Sequence, residues 1–168
     1  MTWHESLLPY CGGDPAARDF AEESMRELGR RAGIELDYNV KTNWQPIDSQ
    51  RLMLWARQFG KAEAYMSALS RRHFEQRQSA SHRATLLAAV EEAELDVAAA
   101  RDFLETDNLK DEVWRSYGDT INKKRINAIP YFVFNSPLTS GGPFRDGPGE
   151  PIIVNGSASL LQFLFVFE

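Results

Sequence analysis

The chain has 168 residues, of which 43% are hydrophobic and 26% are charged, with a formal net charge of -5 at pH 7. These values are typical of a single soluble globular domain, and the negative charge argues against binding to nucleic acid or to an anionic membrane surface. One cysteine, Cys11, excludes an intrachain disulfide and a multi-cysteine metal site, and the chain shows no leader peptide or membrane-length apolar run, so we expect a cytoplasmic protein.

The first predicted element is a helix over residues 15–32. Asp14 is an N-cap residue, Pro15 suits the first helical position, and Gly33 ends the pattern. Residues 34–40 then alternate between apolar and polar types, which predicts a short strand or an extended segment that leads into a loop.

Residues from about 48 to 124 have helical spacing almost throughout, which predicts about five successive helices. Trp55, Phe59 and Trp114 lie on the apolar faces of these helices. Aromatic side chains at this spacing more often belong to a core than to a ligand site, so we expect core positions. The acidic residues Glu91, Glu92 and Glu94 predict a solvated helix face.

The pattern changes after Arg125 to two strands, 131–134 and 151–155, with a Gly/Pro-rich loop 136–150 between them. The apolar tail 160–168 fits either a helix packed on the sheet or a further strand. Pro130 stands at the mouth of the first strand, where it fixes the backbone and donates no hydrogen bond. We therefore expect either a rigid strand entry or a cis bond between Ile129 and Pro130.

Five sequence signals, in this order, resemble the DsbA-like branch of the thioredoxin superfamily, especially its FrnE-like cytosolic members. They are a strand exit at 3-WHESLLP-9, a helix ending in 31-RAGIELDYN-39, a turn and helix at 43-NWQPIDSQRLMLWARQFG-60, the helical stretch after it, and 127-NAIPYFVFN-135. The last signal matches the family element in which a cis proline faces the redox centre.

The resemblance implies an α/β, thioredoxin-like fold, incomplete at the N-terminus, with a large all-helical insertion. The chain would be a single domain over 1–168, with thioredoxin-like parts at about 1–43 and 125–168 and the insertion at about 44–124. The family's first strand lies in the middle of its sheet, so its absence would leave unpaired edges. A second copy in a homodimer, the chain's own tail or rearranged pairing could close them, and a truncated gene product is an equal explanation.

The sequence departs from this family at the redox motif, because no Cys-x-x-Cys is present. The disulfide-exchange cycle needs an attacking thiolate and a second, resolving thiol. Cys11 is therefore interpreted as a structural residue in a strand-exit loop; a decayed motif at 8-LPYC-11, or one mixed disulfide with glutathione, is the alternative. Gln50 also stands where the family commonly has a histidine.

The resemblance implies that the backbone of Ile129, next to Pro130, contacts an extended peptide or glutathione. The function implied is that of a protein disulfide oxidoreductase whose catalysis lacks its motif here. The alternatives are a non-catalytic peptide-binding or assembly module and a glutathione-dependent isomerase or transferase relative. No catalytic residue is assigned and no cofactor is expected, apart from glutathione as a candidate.

The three histidines, His4, His73 and His82, are widely spaced and have no carboxylate or cysteine at ligand spacing. No metal site is therefore expected. We predict solvated or capping roles for all three side chains.

Overall fold

The computed structural model describes residues 1–41, 47–123, 126, 129–134, 151–156, 159, 163–164 and 166. These residues form seven α-helices, two β-strands, a 3₁₀ helix at Leu8–Cys11 and a π-helical turn at Asp119–Lys123. In chain order they are α1 (Trp3–Leu7), α2 (Pro15–Arg31), α3 (Ile47–Arg57), α4 (Ala62–Phe74), α5 (Arg83–Glu92), α6 (Val97–Leu104), α7 (Lys110–Gly118), β1 (Tyr131–Phe134) and β2 (Ile152–Asn155).

Helix α2 confirms the helix predicted from the cap signals at residues 14 and 33. The Asp14 side chain accepts a hydrogen bond from the Ala16 backbone N–H (2.9 Å), and Pro15 occupies the first turn. The helix ends where Gly33 adopts a φ of 76°, in the left-handed region that favours glycine.

The strand exit predicted at residues 3–9 is wrong, because this segment is helical. Thr2 and Glu5 form a reciprocal capping box: Glu5 N–H donates to Thr2 Oγ1 (3.1 Å), and Thr2 N–H donates to Glu5 Oε2 (2.7 Å). These two bonds satisfy backbone donors that a helix N-terminus leaves unpaired, and so they favour α1 over a strand. Cys11 consequently ends a 3₁₀ helix and does not lie in a strand-exit loop.

The segment 34–41 contains a turn at residues 38–39, and among the described residues its strand-like pairing is an isolated bridge between Thr2 and Lys41. Its backbone instead holds α1, because Trp3 N–H donates to Val40 C=O (3.2 Å) and His4 N–H donates to Tyr38 C=O (2.8 Å). The strand predicted for residues 34–40 is therefore not found among the described residues, and the extended alternative stays a prediction.

Helices α3 to α7 confirm the five helices predicted between residues 48 and 124. The apolar faces of α3, α4, α5 and α6 meet in one core. Its buried members are Leu52, Trp55, Ala56, Tyr65, Ala68, Leu69, Leu86, Ala89, Val90, Ala93, Ala100 and Leu104.

The predicted aromatic core stripe is correct only for Trp55, which belongs to this core. Phe59 touches Trp55 edge-to-face at 5.0 Å but is 56% exposed, and Trp114 is also exposed. Phe59 lies in the turn after α3, where the helical spacing that predicted burial no longer applies. The prediction for the acidic residues is confirmed, since Glu91, Glu92 and Glu94 are exposed.

Arg51 is a buried charged residue that binds the connection between α6 and α7. The residue is only 3% exposed. The guanidinium donates to the carbonyls of Thr106 and Asn108 (2.8 Å for the latter) and pairs with Asp48 at 2.7 Å. A planar group with five donors can satisfy several carbonyls at once, which explains why an arginine is stable in this buried position.

Strands β1 and β2 confirm the two predicted strands and pair antiparallel, with Phe132 opposite Val154. Ile152 and Val154 pack with Val166 in a second, small core. The loop 136–150 lies outside the described residues, as does most of the tail 160–168.

The chain divides into two compact units, Met1–Trp114 and Arg115–Glu168, each with its own core. The division of the domain into thioredoxin-like parts and a helical insertion stays a prediction. Within the described ranges, no helix combines the length and apolar character needed to cross a bilayer.

Candidate functional site

The turn at Pro130 is the feature of the second unit that the sequence singled out. The Ile129–Pro130 peptide bond is cis, and both residues are exposed, with Ile129 86% accessible to solvent. The Pro130 carbonyl accepts a hydrogen bond from the Gly156 N–H (2.8 Å) at the end of β2. This bond fixes the turn to the strand pair, and the Ile129 side chain is left to face solvent.

The strand pair behind this turn has one packed face. Phe134 and Phe163 pack against the small core of β2, and Phe132 contacts Phe163 edge-to-face at 5.0 Å. Val133, whose side chain points to the opposite face, is exposed. The turn therefore precedes a strand pair with one packed face, and burial of one face specifies the pairing register of strands.

Cys11 lies in the first unit, at the end of its 3₁₀ helix, and is half-buried. Its carbonyl accepts a hydrogen bond from the Asp14 N–H (3.2 Å), and Gly12 and Gly13 both adopt positive φ. Helix α2 begins four residues further on, at Pro15, but the Asp14 carboxylate already caps it. The side chain that caps this helix is thus an aspartate, and no feature described at Cys11 supplies a second thiol.

His73 corrects the prediction of solvated or capping histidines. It is 6% exposed, and its Nε2 lies 2.9 Å from Trp3 Nε1, which is a donor only. The Ala80 backbone N–H lies 3.2 Å from the other ring nitrogen. A neutral imidazole has one lone-pair nitrogen, so we take the shorter contact, from Trp3, as the hydrogen bond that His73 accepts.

Burial lowers the pKa of His73, and a hydrogen bond with the backbone of Gln78 acts in the opposite direction. The ring is consequently held in its neutral form, which is the form that can accept from Trp3. His4 is not simply solvated either, because its Nδ1 lies 2.7 Å from Glu22 Oε1.

The first unit also contains a cavity of about 440 Å³ among α1, α2, residues 36–38 and the end of α4. Its lining is almost entirely apolar, with Trp3, Tyr38 and Phe74 as aromatic walls. Glu22 is the deeply buried exception at 3% exposed, and it pairs with His4 and with Arg26 (3.3 Å). Nothing in the sequence pattern had pointed to this cavity.

Comparison with known families gives one match, in which the model of the DSBA-like thioredoxin domain aligns with residues 14–156. The chain belongs to this family. The matched range includes α2, all the later helices, the Pro130 turn and both strands, whereas Cys11 precedes it. No curated protein matches the chain.

Membership of the DSBA-like family supports a thiol–disulfide oxidoreductase-like lineage and is compatible with the observed helix-rich architecture around a small two-stranded sheet. The sequence singles out Pro130, Ile129 and Cys11, whose roles stay predictions, but not the buried polar residues Glu22 and Arg51. The signal for α1 was readable, since Thr-x-x-Glu at residues 2–5 is a capping-box pattern. The burial of Glu22 has no such signal, because α2 is rich in other charged residues. That of Arg51 has none, because its partner carbonyl at Asn108 lies 57 residues away in the sequence.

Proposed function

We propose that this DSBA-like domain binds an extended polypeptide at the Pro130 turn, and that its function is binding rather than redox turnover. The observation that carries the proposal is the exposed Ile129 next to Pro130, whose carbonyl already accepts a hydrogen bond from the Gly156 N–H. The turn is thereby rigid on its inner side and accessible on its outer side, which favours recognition of a partner without a large ordering cost.

The strand next to the turn supports this mode of binding. Within the described residues, β1 pairs with β2 alone, so its other edge carries no described strand. An edge strand offers backbone donors and acceptors to an extended peptide, which adds itself as a further strand. The exposed Ile129 and Val133 side chains would then contact alternate residues of the ligand.

The thiol chemistry of the chain supports binding over turnover. Attack of a Cys11 thiolate on a disulfide would form one mixed disulfide and release one thiolate, and a second thiol would be needed to resolve it. The chain has one cysteine. Glutathione is the alternative thiol ligand for the same turn.

The finer assignments are proposals on the same footing. The order of the four signals after the strand exit supports the FrnE-like branch and a thioredoxin-like fold in two parts with α3 to α7 as its insertion. The single cysteine supports a cytoplasmic location. A homodimer in which a second copy pairs with an open strand edge is a further proposal, and sedimentation velocity of the purified chain tests it.

A binding experiment tests the proposed function directly. A fluorescein-labelled, β-branched decapeptide is titrated with the protein, and fluorescence anisotropy is measured. We expect saturable binding, and about tenfold weaker binding for Ile129→Lys, since this exposed side chain would place a charge in the contact. Leu28→Lys, which puts the same charge at an exposed apolar position of α2, is the matched control and is expected to bind as the wild type does.

A second ligand separates strand-like pairing from apolar adhesion. The same decapeptide with N-methylated alternate amides keeps its side chains but loses the donors of one edge. Binding that survives N-methylation, or that Leu28→Lys weakens as much as Ile129→Lys does, would refute the proposal. Turnover is tested with glutathione-coupled insulin reduction, in which a rate above that of Cys11→Ala would favour the oxidoreductase instead.

A further inference from the structure

We infer that the cavity of the first unit is a binding site for a small, uncharged, mainly apolar molecule that carries one N–H or O–H donor. This site is distinct from the Pro130 turn and does not depend on the function proposed for that turn. Its lining comes from α1, α2, residues 36–38 and the end of α4, all within the unit Met1–Trp114.

The size and lining of the cavity define the body of the ligand. A volume of about 440 Å³ lies within the range of roughly 300–1,000 Å³ that small-molecule sites occupy. Its walls are side chains that offer dispersion contacts and no hydrogen bonds across most of their surface. They include Trp3, Leu7, Met25, Leu36 and Phe74. Binding of a largely apolar ligand would therefore be favourable, because it removes apolar surface of both the ligand and the cavity from water.

Polar contacts outside the cavity hold these walls in position. The Trp3 indole is fixed by its hydrogen bond to His73, and the turn at Tyr38 is fixed by the bond that its carbonyl accepts from the His4 N–H (2.8 Å). Arg26 lies over the Tyr38 ring, 5.4 Å from its centroid. A preformed wall lowers the entropy lost on binding.

The charged groups of the lining define the polar end of the ligand. They are Glu22 and Asp37, both carboxylates, and each already has an arginine partner, Arg26 and Arg77 respectively. The lining includes these two carboxylates but not their arginine partners, so an anion in the cavity would lie next to like charge, whereas a cation would have to compete with each arginine. A carboxylate has about four acceptor positions, and those of Glu22 that His4 and Arg26 leave open suit a neutral N–H or O–H donor.

Two fluorescent probes with one skeleton test this selectivity. N-phenyl-1-naphthylamine is neutral and carries a single N–H, whereas 8-anilino-1-naphthalenesulfonate adds a sulfonate to the same rings. We expect the neutral probe to bind one site per chain, at least tenfold more tightly than the sulfonate. Equal affinities, or tighter binding of the sulfonate, would overturn the assignment.

Substitutions locate the bound probe. Ala21 lines the cavity and is half-buried, so Ala21→Leu places extra volume inside it and should weaken binding of the neutral probe at least tenfold. Ala88→Leu makes the same change at a half-buried position of α5, away from the cavity, and should bind as the wild type does. Glu22→Gln removes one carboxylate charge from the lining, so the affinities of the neutral probe and the sulfonate should become more similar.

A replacement variant and two overturning results complete the test. If Ala21→Leu does not fold, as judged by circular dichroism, Met25→Trp at the half-exposed rim replaces it with the same expectation. Unchanged affinity in a folded cavity variant overturns the inference. So does loss of probe binding as the chain self-associates, because a second copy would then be the occupant.

Discussion

At the scale of single residues, the contact between Trp3 and His73 links protonation to folding. The indole N–H donates to the lone pair of a buried imidazole, so a proton bound at that lone pair removes the hydrogen bond. Burial lowers the pKa of His73 in the folded protein relative to its ordinary value of 6.5. The unfolded chain thus binds this proton more readily than the folded chain does.

The first prediction follows from the sign of that shift. The contribution of His73 to stability is complete above pH about 6.5 and declines as the pH falls, because the unfolded state is protonated first, with a slope of at most about 1.4 kcal/mol per pH unit. His73→Gln keeps a side-chain acceptor but does not titrate. Urea unfolding at pH 7.5 and 5.5 should show that the wild type loses more stability than His73→Gln does, within that limiting slope.

Subtracting the variant from the wild type removes the contributions of His4 and His82, which both chains share. Equal pH slopes for the two proteins would contradict the prediction. A larger slope for the variant would mean that the folded state favours the protonated ring.

At the scale of elements, the turn after α2 brings residues 34–36 back against the helix at Gly29. A Cβ at this position would lie 2.8 Å from the Ile34 carbonyl oxygen and 3.0 Å from Leu36 Cγ. The close approach lets Leu36 reach the cavity wall. A glycine inside a helix costs stability relative to alanine, so its presence here is explained by packing rather than by helix propensity.

The second prediction compares two helical glycines. Gly29→Ala should lower the free energy of unfolding by about 1–3 kcal/mol, because the backbone oxygen of Ile34 would have to move. Gly118→Ala, whose Cβ would meet nothing closer than 3.9 Å, should be neutral or should raise stability by up to about 1 kcal/mol. Thermal and urea unfolding of both variants checks the contrast, which would fail if Gly29→Ala stabilised the protein.

Local signals explain which elements the sequence predicted correctly. Asp14 and Pro15 act within one helical turn, and the short apolar runs of β1 and β2 are local signals too, so the sequence predicts α2 and both strands. The burial of His73 depends on Trp3, a residue 70 positions away, and that of Arg51 depends on carbonyls beyond residue 100. No local pattern contains such information. The strand exit predicted at residues 3–9 is wrong for a different reason, since the family pattern predicts a strand exit there whereas Thr2 and Glu5 cap a helix.

At the scale of the whole molecule, the chain consists of two units with separate hydrophobic cores. Every residue of the larger buried core lies between Leu52 and Leu104, inside the unit Met1–Trp114. The smaller core consists of Ile152, Val154 and Val166 and the aromatic residues packed against them. The larger unit should accordingly hold most of the stability of the chain.

The third prediction is that a fragment of residues 1–118, which keeps α7 whole, folds on its own. Its circular dichroism should be helical, and its urea unfolding should be cooperative. Leu86→Ala, which empties a fully buried position, should cost about 2–5 kcal/mol in the fragment and in the full chain alike. A fragment without cooperative unfolding would show that the larger core needs the second unit.

The bond between Trp3 and His73 has a kinetic consequence as well. It joins residues 70 positions apart, so it closes a loop that includes α2, α3 and most of α4. Closing a loop of this length is entropically costly and tends to follow the formation of local helices. The fluorescence of Trp3, in a chain whose other tryptophans are replaced, would therefore report the moment at which α1 docks, separately from the earlier growth of the helices.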